Sequence, residues 1–442
     1  MEFSTHRTQE ALNTLSFSEL KPIQTTMLDQ FKTNDQLVLI APTGSGKTLA
    51  FLLPILESLT NSEVTQAVII APARELALQI EQVFKQMKTG FKINCCYGGH
   101  PIRVEKNNLL NSPQVIVGTP GRIADHLRRG TIDVRTIKTL VLDEFDKAIE
   151  LGFEKDISAI IDELYSVEKR VLVSATQQED LELPSFTKMP DPEILKFIGE
   201  KRNEGTLSQF YIRAEDSDKL EILKDLVYRV GNEPTIIFCN HREAVERIGE
   251  LLKINKIPVG IFHGTLKQEH RERELTKLRN GSTNILIATD LAARGIDIPA
   301  IKNVIHYQIP LKEDAFIHRN GRTARMDSDG NSFVMLKSDD YIPEFISQDL
   351  PSFDLSKIKT VNLQTKYATV YVGLGRKDKI NKVDIVGLFY KKGGLIKDEL
   401  GKIEVLDYCA FVAVDYAKAR QLVQDLKSEK IKKKTIKISI AR

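Results

Sequence analysis

The chain has 442 residues, of which 42% are hydrophobic and 28% are charged, so it is too apolar to be intrinsically disordered and too charged to be a membrane protein. This length exceeds one ordinary domain and predicts two or three compact units. No apolar run is long enough to cross a bilayer, and the opening residues MEFSTHRTQEALNTL lack the hydrophobic core of a signal peptide, which favours a cytoplasmic protein.

The cysteines and the charge distribution narrow the function classes further. The four cysteines form no CxxC pair, which argues against a zinc site and against a disulfide scaffold. The net charge is +3, but the residues from Lys366 to the end contain 18 Lys plus Arg against 9 Asp plus Glu, which gives this segment a net charge of +9 and the rest −6. A basic segment attached to a mildly acidic body predicts binding of a polyanion.

The first two hundred residues alternate short β-branched runs with longer amphipathic segments. The runs are QLVLIA, QAVIIA, PQVIVG, TLVLDE and RVLVSA. After the polar stretch GEKRNEGTLSQ, the same alternation restarts with TIIFC, PVGIFH, NILIATD and NVIHYQ. Strands that alternate with helices predict right-handed crossovers and a parallel sheet, so we expect two α/β domains, at residues 1–200 and 207–345.

The alternation fades over residues 345–365, and a different order of elements follows. The segments are ATVYVGL, KVDIVGLFYKK, GKIEVLD, CAFVAVD, AKARQLVQDLKSE and TIKISIA. Their predicted order, β-α-β-β-α-β, is that of ferredoxin-like domains and of RNA recognition motifs. A small α+β domain is therefore predicted at residues 366–442.

The segment LIAPTGSGKTLAF combines a strand, a glycine-containing turn and a helix start, which is the context of a phosphate-binding P-loop. Gly44 and Gly46 let backbone N–H groups face phosphate oxygens, Lys47 reaches the β- and γ-phosphates, and the Thr48 hydroxyl binds Mg²⁺. Ala41 occupies the position of the usual first glycine. The alternative is a glycine-rich turn with an exposed lysine.

The segment LVLDEFDK places two carboxylates at the end of a predicted buried strand, where nucleotide sites of open α/β folds lie. Beside a P-loop, Asp143 is predicted to hold Mg²⁺, mostly through water, and Glu144 to orient or deprotonate the attacking water. The alternative is that Asp143 only caps a helix. Asp146 is predicted to pair with the hydroxyls of Ser174 and Thr176.

The segment FIHRNGRTAR spaces Arg319, Arg322 and Arg325 three residues apart, so on a helix they would share one face. Because they belong to the second predicted domain, they are candidates for an arginine finger that acts when the two domains close. A solvated basic face is the alternative.

The order of motifs resembles that of the DEAD-box RNA helicases over nearly the whole chain. The motifs are KPIQ, APTGSGKT, PARELALQ, the pair Gly98 and Gly99, TPGR, DEFD, SAT, IIFCN, ATDLAARGID and HRNGRTAR. The resemblance implies an α/β fold class with two tandem RecA-like parallel-sheet domains, followed by a small ferredoxin-like (RRM-like) α+β domain. It also implies an RNA-dependent ATPase that uses ATP and Mg²⁺.

The resemblance assigns roles to single residues. The implied ATP-binding residues are Phe17, Gln24, Thr43, Gly44, Ser45, Gly46, Lys47, Thr48 and Asp297, with Gln24 reading the adenine edge and Asp297 reaching the ribose. The implied catalytic residues are Lys47, Asp143, Glu144, Arg322 and Arg325, and the implied metal ligands are Thr48 and Asp143. The residues implied to couple hydrolysis to RNA binding are Asp146, Ser174, Thr176 and His318. The implied RNA contacts of the helicase domains are Arg74, Gly99, Thr119, Arg122, Thr289 and Arg294.

Four residues depart from the family pattern. Phe145 replaces an alanine, Ala73 a threonine, Ala324 a glycine and Leu20 a proline. Phe145 leaves both carboxylates in place, so ATPase activity is expected to survive. Ala73 lacks a hydroxyl that an RNA phosphate would use, and Ala324 is expected to stiffen the arginine loop.

The third predicted domain carries two possible RNA surfaces. VYVGL and YCAFVAV resemble the two RNA-recognition signatures and place Tyr371 and Phe411 for base stacking, with packing inside the sheet as the alternative. GRKDKINK and KSEKIKKKTIK are basic segments that can reach phosphates, with a solvated tail or a nuclear-import signal as alternatives. This domain resembles that of DbpA-type bacterial helicases, which implies a structured large-subunit ribosomal RNA as partner.

The sequence therefore predicts an ATP-dependent RNA helicase that separates short RNA duplexes by ATP-driven domain closure and acts in ribosome assembly. An ATP-gated RNA clamp or assembly placeholder with little unwinding is the alternative. The RNA-type appendage disfavours a DNA helicase. Neither a membrane partner nor an obligatory oligomer is expected.

Overall fold

The structure is a computed structural model that describes residues 6–42, 44–174, 183–197, 206–214, 218–290, 301–324, 329–338, 340–355 and 362–441. The described residues up to 197 form one compact unit, and those from 206 onwards form a second. Within these ranges, no helix is both long enough and apolar enough to span a bilayer.

The first unit is a parallel sheet covered by helices. Its strands are β1 (Gln36–Ile40), β2 (Ala67–Ile70), β3 (Ile93–Cys96), β4 (Val115–Gly118), β5 (Thr139–Asp143), β6 (Lys169–Ser174) and β7 (Glu193–Lys196). Its helices are α1 (His6–Thr14), α2 (Pro22–Thr33), α3 (Lys47–Ser58), α4 (Arg74–Gln86), α5 (Ile102–Leu109), α6 (Pro120–Arg128), α7 (Phe145–Glu150) and α8 (Glu154–Glu163). The strand order is β3-β4-β2-β5-β6-β1-β7, and all neighbouring strands pair in parallel.

The sheet of the first unit is buried on both faces. Along β1, Leu37 and Leu39 contact the core formed with α2, α3 and α4. Val38 and Ile40 contact the opposite core, formed with α6, α7 and α8. Continuous apolar strands are typical of parallel sheets covered on both sides, which leaves the strand ends as the place for polar loops.

The second unit begins with another parallel sheet. Its strands are β8 (Leu207–Arg213), β9 (Thr235–Cys239), β10 (Val259–Phe262), β11 (Ile285–Thr289), β12 (Asn303–His306) and β13 (Gly330–Leu336). The described helices of this part are α9 (Lys219–Val230), α10 (Arg242–Ile254), α11 (Gln268–Arg279) and α12 (Glu313–Asn320). The strand order is β10-β11-β9-β12-β13-β8, again with parallel neighbours.

The second unit ends with a small antiparallel domain. Its strands are β14 (Tyr367–Val372), β15 (Leu400–Val405), β16 (Ala410–Asp415), β17 (Lys430–Ile431), β18 (Lys434–Thr435) and β19 (Ile438–Ile440). Its helices are α13 (Lys382–Lys391) and α14 (Ala419–Asp425). The main sheet has the order β15-β16-β14-β19, and β17 and β18 form a separate hairpin that the sequence did not predict. The predicted fold class, two parallel-sheet domains followed by a small α+β domain, is confirmed.

Candidate functional site

The carboxyl edge of the first sheet carries two groups of predicted site residues. The neighbouring strands β5, β6 and β1 end at Asp143, at Ser174 and at the glycine-containing loop before α3. The strands β3, β4 and β2, neighbours on the other side, are followed by Gly98 and Gly99, by Thr119 and by Arg74. Because the strands are parallel, the predicted nucleotide residues and the predicted RNA residues line the same edge of one sheet.

The loop after β1 has the backbone conformation of a phosphate cradle. Gly44 has a φ of +78° and Gly46 a φ of +98°, both in the left-handed region that favours glycine. The side chain of Ser45 is buried, and its Oγ has no hydrogen-bond partner among the residues that the structure describes. A buried hydroxyl that lacks a partner, next to such a loop, fits an anionic ligand such as phosphate.

Lys47 and Thr48 open helix α3, directly after this loop. The Nζ of Lys47 donates hydrogen bonds to the carbonyl oxygens of Ala41, at 2.6 Å, and Pro42, at 3.1 Å. These bonds hold the ammonium group over the loop, at the positive end of the helix dipole. Thr43 lies outside the described residues.

Gln24 lies against the same loop. It is buried in the first turn of α2, where its Oε1 accepts a hydrogen bond of 2.9 Å from the Lys21 N–H. A Cβ atom added to Gly46 would lie 2.9 Å from the Nε2 of Gln24, which shows that Gln24 lies directly against the loop. The ring of Phe17 is 47% exposed. The structure thus brings Gln24 to the predicted phosphate loop, while the adenine contacts stay a prediction.

Asp143 and Glu144 form an acidic pair at the end of β5. Burial of Asp143, reinforced by the negative charge of Glu144, raises the pKa of the Asp143 carboxyl to about 7. Glu144 has a φ of +48°, unusual for a residue other than glycine, and its N–H donates to the Asp143 Oδ1 at 3.0 Å. Carboxylates held together in this way fit a divalent cation, which would offset their repulsion.

The helix-cap alternative for Asp143 is not supported. The residue that precedes α7 is Glu144, and no side chain caps this helix. Phe145 is buried in the core on that side of the sheet, which explains how its bulk is accommodated beside the carboxylates. Lys147, which the sequence analysis did not single out, is buried and lies 2.8 Å from Glu150 and 3.7 Å from Asp146.

The predicted pairing of Asp146 with hydroxyl groups stays a prediction. Ser174 is fully buried at the end of β6, whereas Thr176 lies outside the described residues.

The predicted RNA residues of the first unit are brought together by short contacts. Gly99 has a φ of +105°, and a Cβ atom added there would lie 2.7 Å from the Nη1 of Arg74. The Nη2 of Arg122 donates to the carbonyl oxygen of His100 at 2.9 Å. Thr119 precedes α6, and its N–H donates to the Cys96 carbonyl at 3.0 Å.

Glu105 connects these elements and was missed by the sequence analysis. Its carboxylate, almost fully buried, accepts hydrogen bonds from the Tyr97 N–H at 2.9 Å and from Arg122 at 3.2 Å. It also contacts the Nε2 atoms of His126, at 2.7 Å, and His100, at 2.9 Å. No sequence spacing indicates this role, because the partners come from the loop between β3 and α5 and from helix α6.

The Glu105 cluster resembles a metal site in composition but not in bonding. Ligand atoms of Cys96, Glu105 and His126 lie within 4.8 Å of one another. However, the His126 ring nitrogens already contact Glu105 and, at 2.7 Å, the Thr131 hydroxyl. The Arg122 guanidinium on the same carboxylate would repel a cation. The cluster therefore acts as a buried hydrogen-bond network that positions Arg122.

Arg319 in the second unit is a structural residue. It is 1% exposed, and its guanidinium binds both Asp290 carboxylate oxygens, at 2.5 and 2.7 Å. It also donates to the Gln308 carbonyl and to the Asn240 Oδ1, each at 2.7 Å. These bonds join the ends of β9, β11 and β12, so Arg319 is not a candidate finger.

The predicted common helix face of the three arginines is wrong. Helix α12 ends at Asn320, so Arg322 lies in the following turn, where it is 7% exposed. His318 lies in the last turn of α12, and Thr289 ends β11, while their roles in coupling and in RNA binding stay predictions. Arg294, Asp297 and Arg325 lie outside the described residues, and their roles stay predictions.

The predicted stacking rings of the C-terminal domain lie side by side. Tyr371 and Phe411 are opposite each other on β14 and β16, with ring centroids 5.7 Å apart. Tyr371 is half-buried and Phe411 is 4% exposed, so the ring of Phe411 is covered in this arrangement. The stacking role of both residues stays a prediction.

The two predicted basic segments of this domain form one surface. Lys432 Nζ donates to the Lys379 carbonyl at 2.8 Å and to Asp384 at 2.7 Å. Lys434 pairs with Asp378 at 2.8 Å. These contacts hold residues 375–382 against residues 427–437, and we call the combined area the basic surface.

Comparisons with known proteins agree with this arrangement. Residues 21–183 match the DEAD/DEAH box helicase family, residues 218–327 the helicase conserved C-terminal domain and residues 369–440 the DbpA RNA binding domain. The chain is 30% identical to the ATP-dependent RNA helicase DbpA of Bacillus subtilis (strain 168), over 99% of this chain and 98% of the relative. The chain belongs to the DEAD-box ATP-dependent RNA helicases.

Other relatives of this helicase share its first two domains. The ATP-dependent RNA helicase CshA of Limosilactobacillus reuteri is 36% identical over 76% of this chain and 68% of the relative. Among solved structures, S. cerevisiae Dbp5 bound to RNA and ADP BeF3 has a TM-score of 0.66 and 28% identity, over 76% of this chain and 88% of that chain. The two parallel-sheet domains of this DEAD-box helicase are thus RecA-like, and the chain is an ATP-dependent enzyme that binds RNA.

Proposed function

We propose that this helicase separates short RNA duplexes by ATP-driven closure of its RecA-like domains, and that its C-terminal domain directs it to structured large-subunit ribosomal RNA during ribosome assembly. The observation that carries the proposal is the carboxyl edge of the first sheet, where the phosphate loop, the acidic pair and the predicted RNA contacts Arg74, Gly99 and Thr119 follow neighbouring strands. One edge can therefore couple nucleotide chemistry to an RNA strand.

The ATP site of the first domain would bind the nucleotide phosphates and accept a proton from the attacking water. Lys47 and the loop N–H groups bind phosphate oxygens, and Thr48 and Asp143 would hold Mg²⁺, which when bound neutralises phosphate charge. Glu144 would accept a proton from the attacking water. Arg322 and Arg325 belong to the second domain, so the proposal requires closure before the developing charge is stabilised.

The proposed contacts bind the RNA backbone and do not recognise the base sequence. Arg74, Arg122 and the backbone at Gly99 offer positive charge and N–H groups, which suit phosphates rather than base edges. Thr119, Thr289 and Arg294 extend this set in the proposal. Closure that bends one strand against these contacts would separate it from its partner.

The ribosomal target is proposed from two observations. The basic surface gathers lysines of two segments into one area, which suits the phosphates of a folded RNA. The match to the DbpA RNA binding domain supports the same class of ligand. We further propose that the protein works in the cytoplasm, since the described cysteines are free thiols, as a reducing compartment would keep them.

The test replaces Lys47 with alanine in the full-length protein. Removal of the ammonium group is expected to reduce RNA-stimulated ATP hydrolysis by about a hundredfold or more. Lys92→Ala, which changes an exposed lysine of the same domain, is the matched control and should hydrolyse ATP normally. Normal RNA-stimulated turnover in Lys47→Ala would refute the assignment of the site.

A second assay separates the helicase from the alternative clamp. Strand separation of a short duplex beside an RNA hairpin is measured together with retention of the same RNA after ATP addition. Unwinding at ATP-dependent rates supports the helicase, whereas retention without strand separation supports the clamp.

A further inference from the structure

A cleft opens at the carboxyl edge of the second parallel sheet. It has a volume of about 450 Å³ and lies beyond the ends of β9, β12 and β13, beside helices α9 and α10. Its charged and aromatic lining residues are Lys219, Arg247, Tyr307, Lys337, Asp340 and Tyr341. None of these six is among the residues assigned above to ATP or to RNA. The volume is within the range of small-molecule sites, about 300 to 1,000 Å³.

The cleft occupies the place in the second sheet that the predicted nucleotide site occupies in the first. If β8 to β13 are placed on β1 to β6 in chain order, the two sheets have the same strand order, apart from the additional edge strand β7. Lys219 is the first residue of α9, which follows β8, just as Lys47 is the first residue of α3, which follows β1. Ligands of open α/β sheets bind at this edge, so its position makes the cleft a candidate site.

The chemistry of this second edge differs from that of the first. Strand β5 ends in the acidic pair, whereas β12 ends at His306 and is followed by Tyr307 and Gln308. The carboxylate of Asp218 caps α9 by accepting a hydrogen bond of 3.0 Å from the Leu220 N–H, so this helix end already has an anion. A ligand in the cleft would therefore depend on side-chain cations and not on a metal ion or a helix end.

Lys219 forms the buried end of the cleft. Its side chain is 8% exposed, and its Nζ donates to the Asp340 Oδ2 at 3.0 Å and lies 5.5 Å from the ring centroid of Tyr307. The Lys337 N–H donates to the same Oδ2 at 2.8 Å. Burial would raise the pKa of Asp340, but these hydrogen bonds outweigh it and hold that pKa below its usual value. An ammonium group has three donor hydrogens, so Asp340 leaves Lys219 able to bind a second anion.

Arg247 and Lys337 form the open end of the cleft. Both are exposed, and neither side chain forms a hydrogen bond or an ion pair with any residue that the structure describes. Burial raises the pKa of Tyr307, and the positive charge of Arg247 opposes that rise, which places the guanidinium near the Tyr307 hydroxyl. The cleft thus has three cations for one carboxylate, and an excess of positive charge in a concave site attracts an anion.

The size and the rings of the cleft indicate which anion fits. A groove that binds an RNA backbone follows several successive phosphates, whereas the two cations without a partner lie here in one small cleft. The ring of Tyr341 is 76% exposed at this cleft, so it can cover an aromatic base. A guanidinium and an ammonium group beside it suit a phosphate. An aromatic ring together with phosphate-binding cations fits a mononucleotide.

We propose that this cleft is a second ligand site, which binds a nucleoside mono- or diphosphate without a metal ion and does not hydrolyse it. Arg247 and Lys337 bind the phosphate, Lys219 donates to it beside Asp340, and Tyr341 covers the base. The proposal is independent of duplex separation, because the cleft lies entirely within the second parallel-sheet domain.

The test measures binding of AMP and of inorganic pyrophosphate to the full-length protein by equilibrium dialysis, with a metal chelator present. The double variant Arg247→Gln/Lys337→Gln is expected to bind both probes about tenfold more weakly, because charge-assisted hydrogen bonds are lost. Asp340→Asn keeps an acceptor oxygen for Lys219 but removes the negative charge, so it should bind both probes about threefold more tightly. Lys253→Gln, which changes an exposed lysine of α10, is the control and should bind as the wild type does.

Hydrogen–deuterium exchange locates the bound probe. AMP should protect residues 241–248 and 337–341 in the wild type and should not protect them in the double variant. Protection of residues 44–48 alone would assign the binding to the phosphate loop of the first domain and would overturn the proposal. Equal affinities in the wild type, the double variant and Asp340→Asn would also overturn it.

Two comparisons test the class of ligand. Tyr341→Ala should weaken binding of AMP about fivefold and leave binding of pyrophosphate unchanged, because only AMP has a base. Equal losses for the two probes would contradict the base contact. If single-stranded RNA without a terminal phosphate displaces AMP from the cleft, the cleft binds an RNA backbone, and the assignment to a mononucleotide is wrong.

Discussion

Ala324 adopts a left-handed backbone conformation, with a φ of +51°. This is the position at which the sequence departs from the glycine of its family. A left-handed conformation costs an alanine about 1 kcal/mol relative to glycine, because the Cβ atom crowds the following carbonyl. The departure is therefore tolerated by the fold and carries a local strain.

We expect Ala324→Gly to raise the free energy of unfolding by up to about 1 kcal/mol, because glycine removes that strain. Urea denaturation of the two proteins measures the difference. Ala244→Gly, in the ordinary helical conformation of α10, is the control and should lower stability by a similar amount. A loss of stability in both variants would contradict the strained geometry.

Glu105 acts on RNA binding through Arg122. We expect Glu105→Gln to weaken single-stranded RNA binding by about tenfold, because the neutral amide no longer holds the Arg122 guanidinium. ATP affinity should stay unchanged, since the phosphate loop follows a different strand. Fluorescence titration with labelled RNA and with labelled nucleotide separates the two effects, and Glu163→Gln, which changes an exposed carboxylate of α8, serves as the surface control.

The end of helix α12 determines where the arginines of the segment FIHRNGRTAR lie. The helix stops at Asn320, whose Oδ1 accepts hydrogen bonds from His306 at 3.0 Å and Ser332 at 2.8 Å. Arg319 thereby stays inside the fold, and Arg322 lies in the following turn. Helical spacing alone misassigned the motif because it assumed that the helix continues.

The stability of the second unit depends on pH through His306, the last residue of strand β12. Burial first, and the positive charge of Arg319 second, lower the pKa of His306 to about 3, below its ordinary value of 6.5. Below pH 6.5 the unfolded chain binds a proton at His306 that the folded chain does not bind. The contribution of the neutral His306 to the free energy of unfolding is therefore fully present above pH 6.5 and decreases as the pH falls toward 3.

We expect the second unit to lose about 2 kcal/mol of unfolding free energy through His306 between pH 7 and pH 5. Urea denaturation at both pH values, compared between wild type and His306→Gln, isolates this contribution, because the other titrating groups are shared. The variant should show the smaller loss, and equal losses in the two proteins would exclude a depressed pKa.

The hairpin of β17 and β18 has lysines at turn positions where the backbone conformation favours other residues. Its two-residue turn consists of Lys432 and Lys433, with φ values of +50° and +69°, where asparagine and glycine are usually favoured. The Nζ of Lys432 donates hydrogen bonds to the Lys379 carbonyl, in the first basic segment, and to the Asp384 carboxylate. The turn therefore keeps two positive charges on the basic surface in spite of the backbone cost.

Across the whole chain, net charge and proposed function differ between the helicase domains and the C-terminal domain. The C-terminal segment is strongly basic, and the rest is mildly acidic. We expect deletion of residues 366–442 to leave basal ATP hydrolysis intact and to abolish the extra stimulation by structured ribosomal RNA. ATPase assays with the hairpin and with unstructured RNA of the same length measure this, and equal responses of both proteins to both RNAs would contradict a targeting role.

The parallel sheets, the phosphate loop and the acidic pair could be predicted from the amino-acid sequence alone. Each depends on a short stretch of chain, since β-branched runs form strands, glycines allow left-handed turns, and a strand end determines where Asp143 lies. The order of these stretches was enough to predict the fold class and the type of reaction.

The roles of Arg319 and Glu105, and the burial of Phe411 in the C-terminal sheet, could be found only from the packing of the folded chain. The partners of Arg319 and Glu105 come from other strands, helices and loops, so no local pattern distinguishes these two buried residues from exposed charges. Phe411 matches a stacking signature, yet it is only 4% exposed, and its strand β16 contacts α11. The alternation of residues along a strand determines which side chains share a face, but the element that covers that face depends on how distant segments pack.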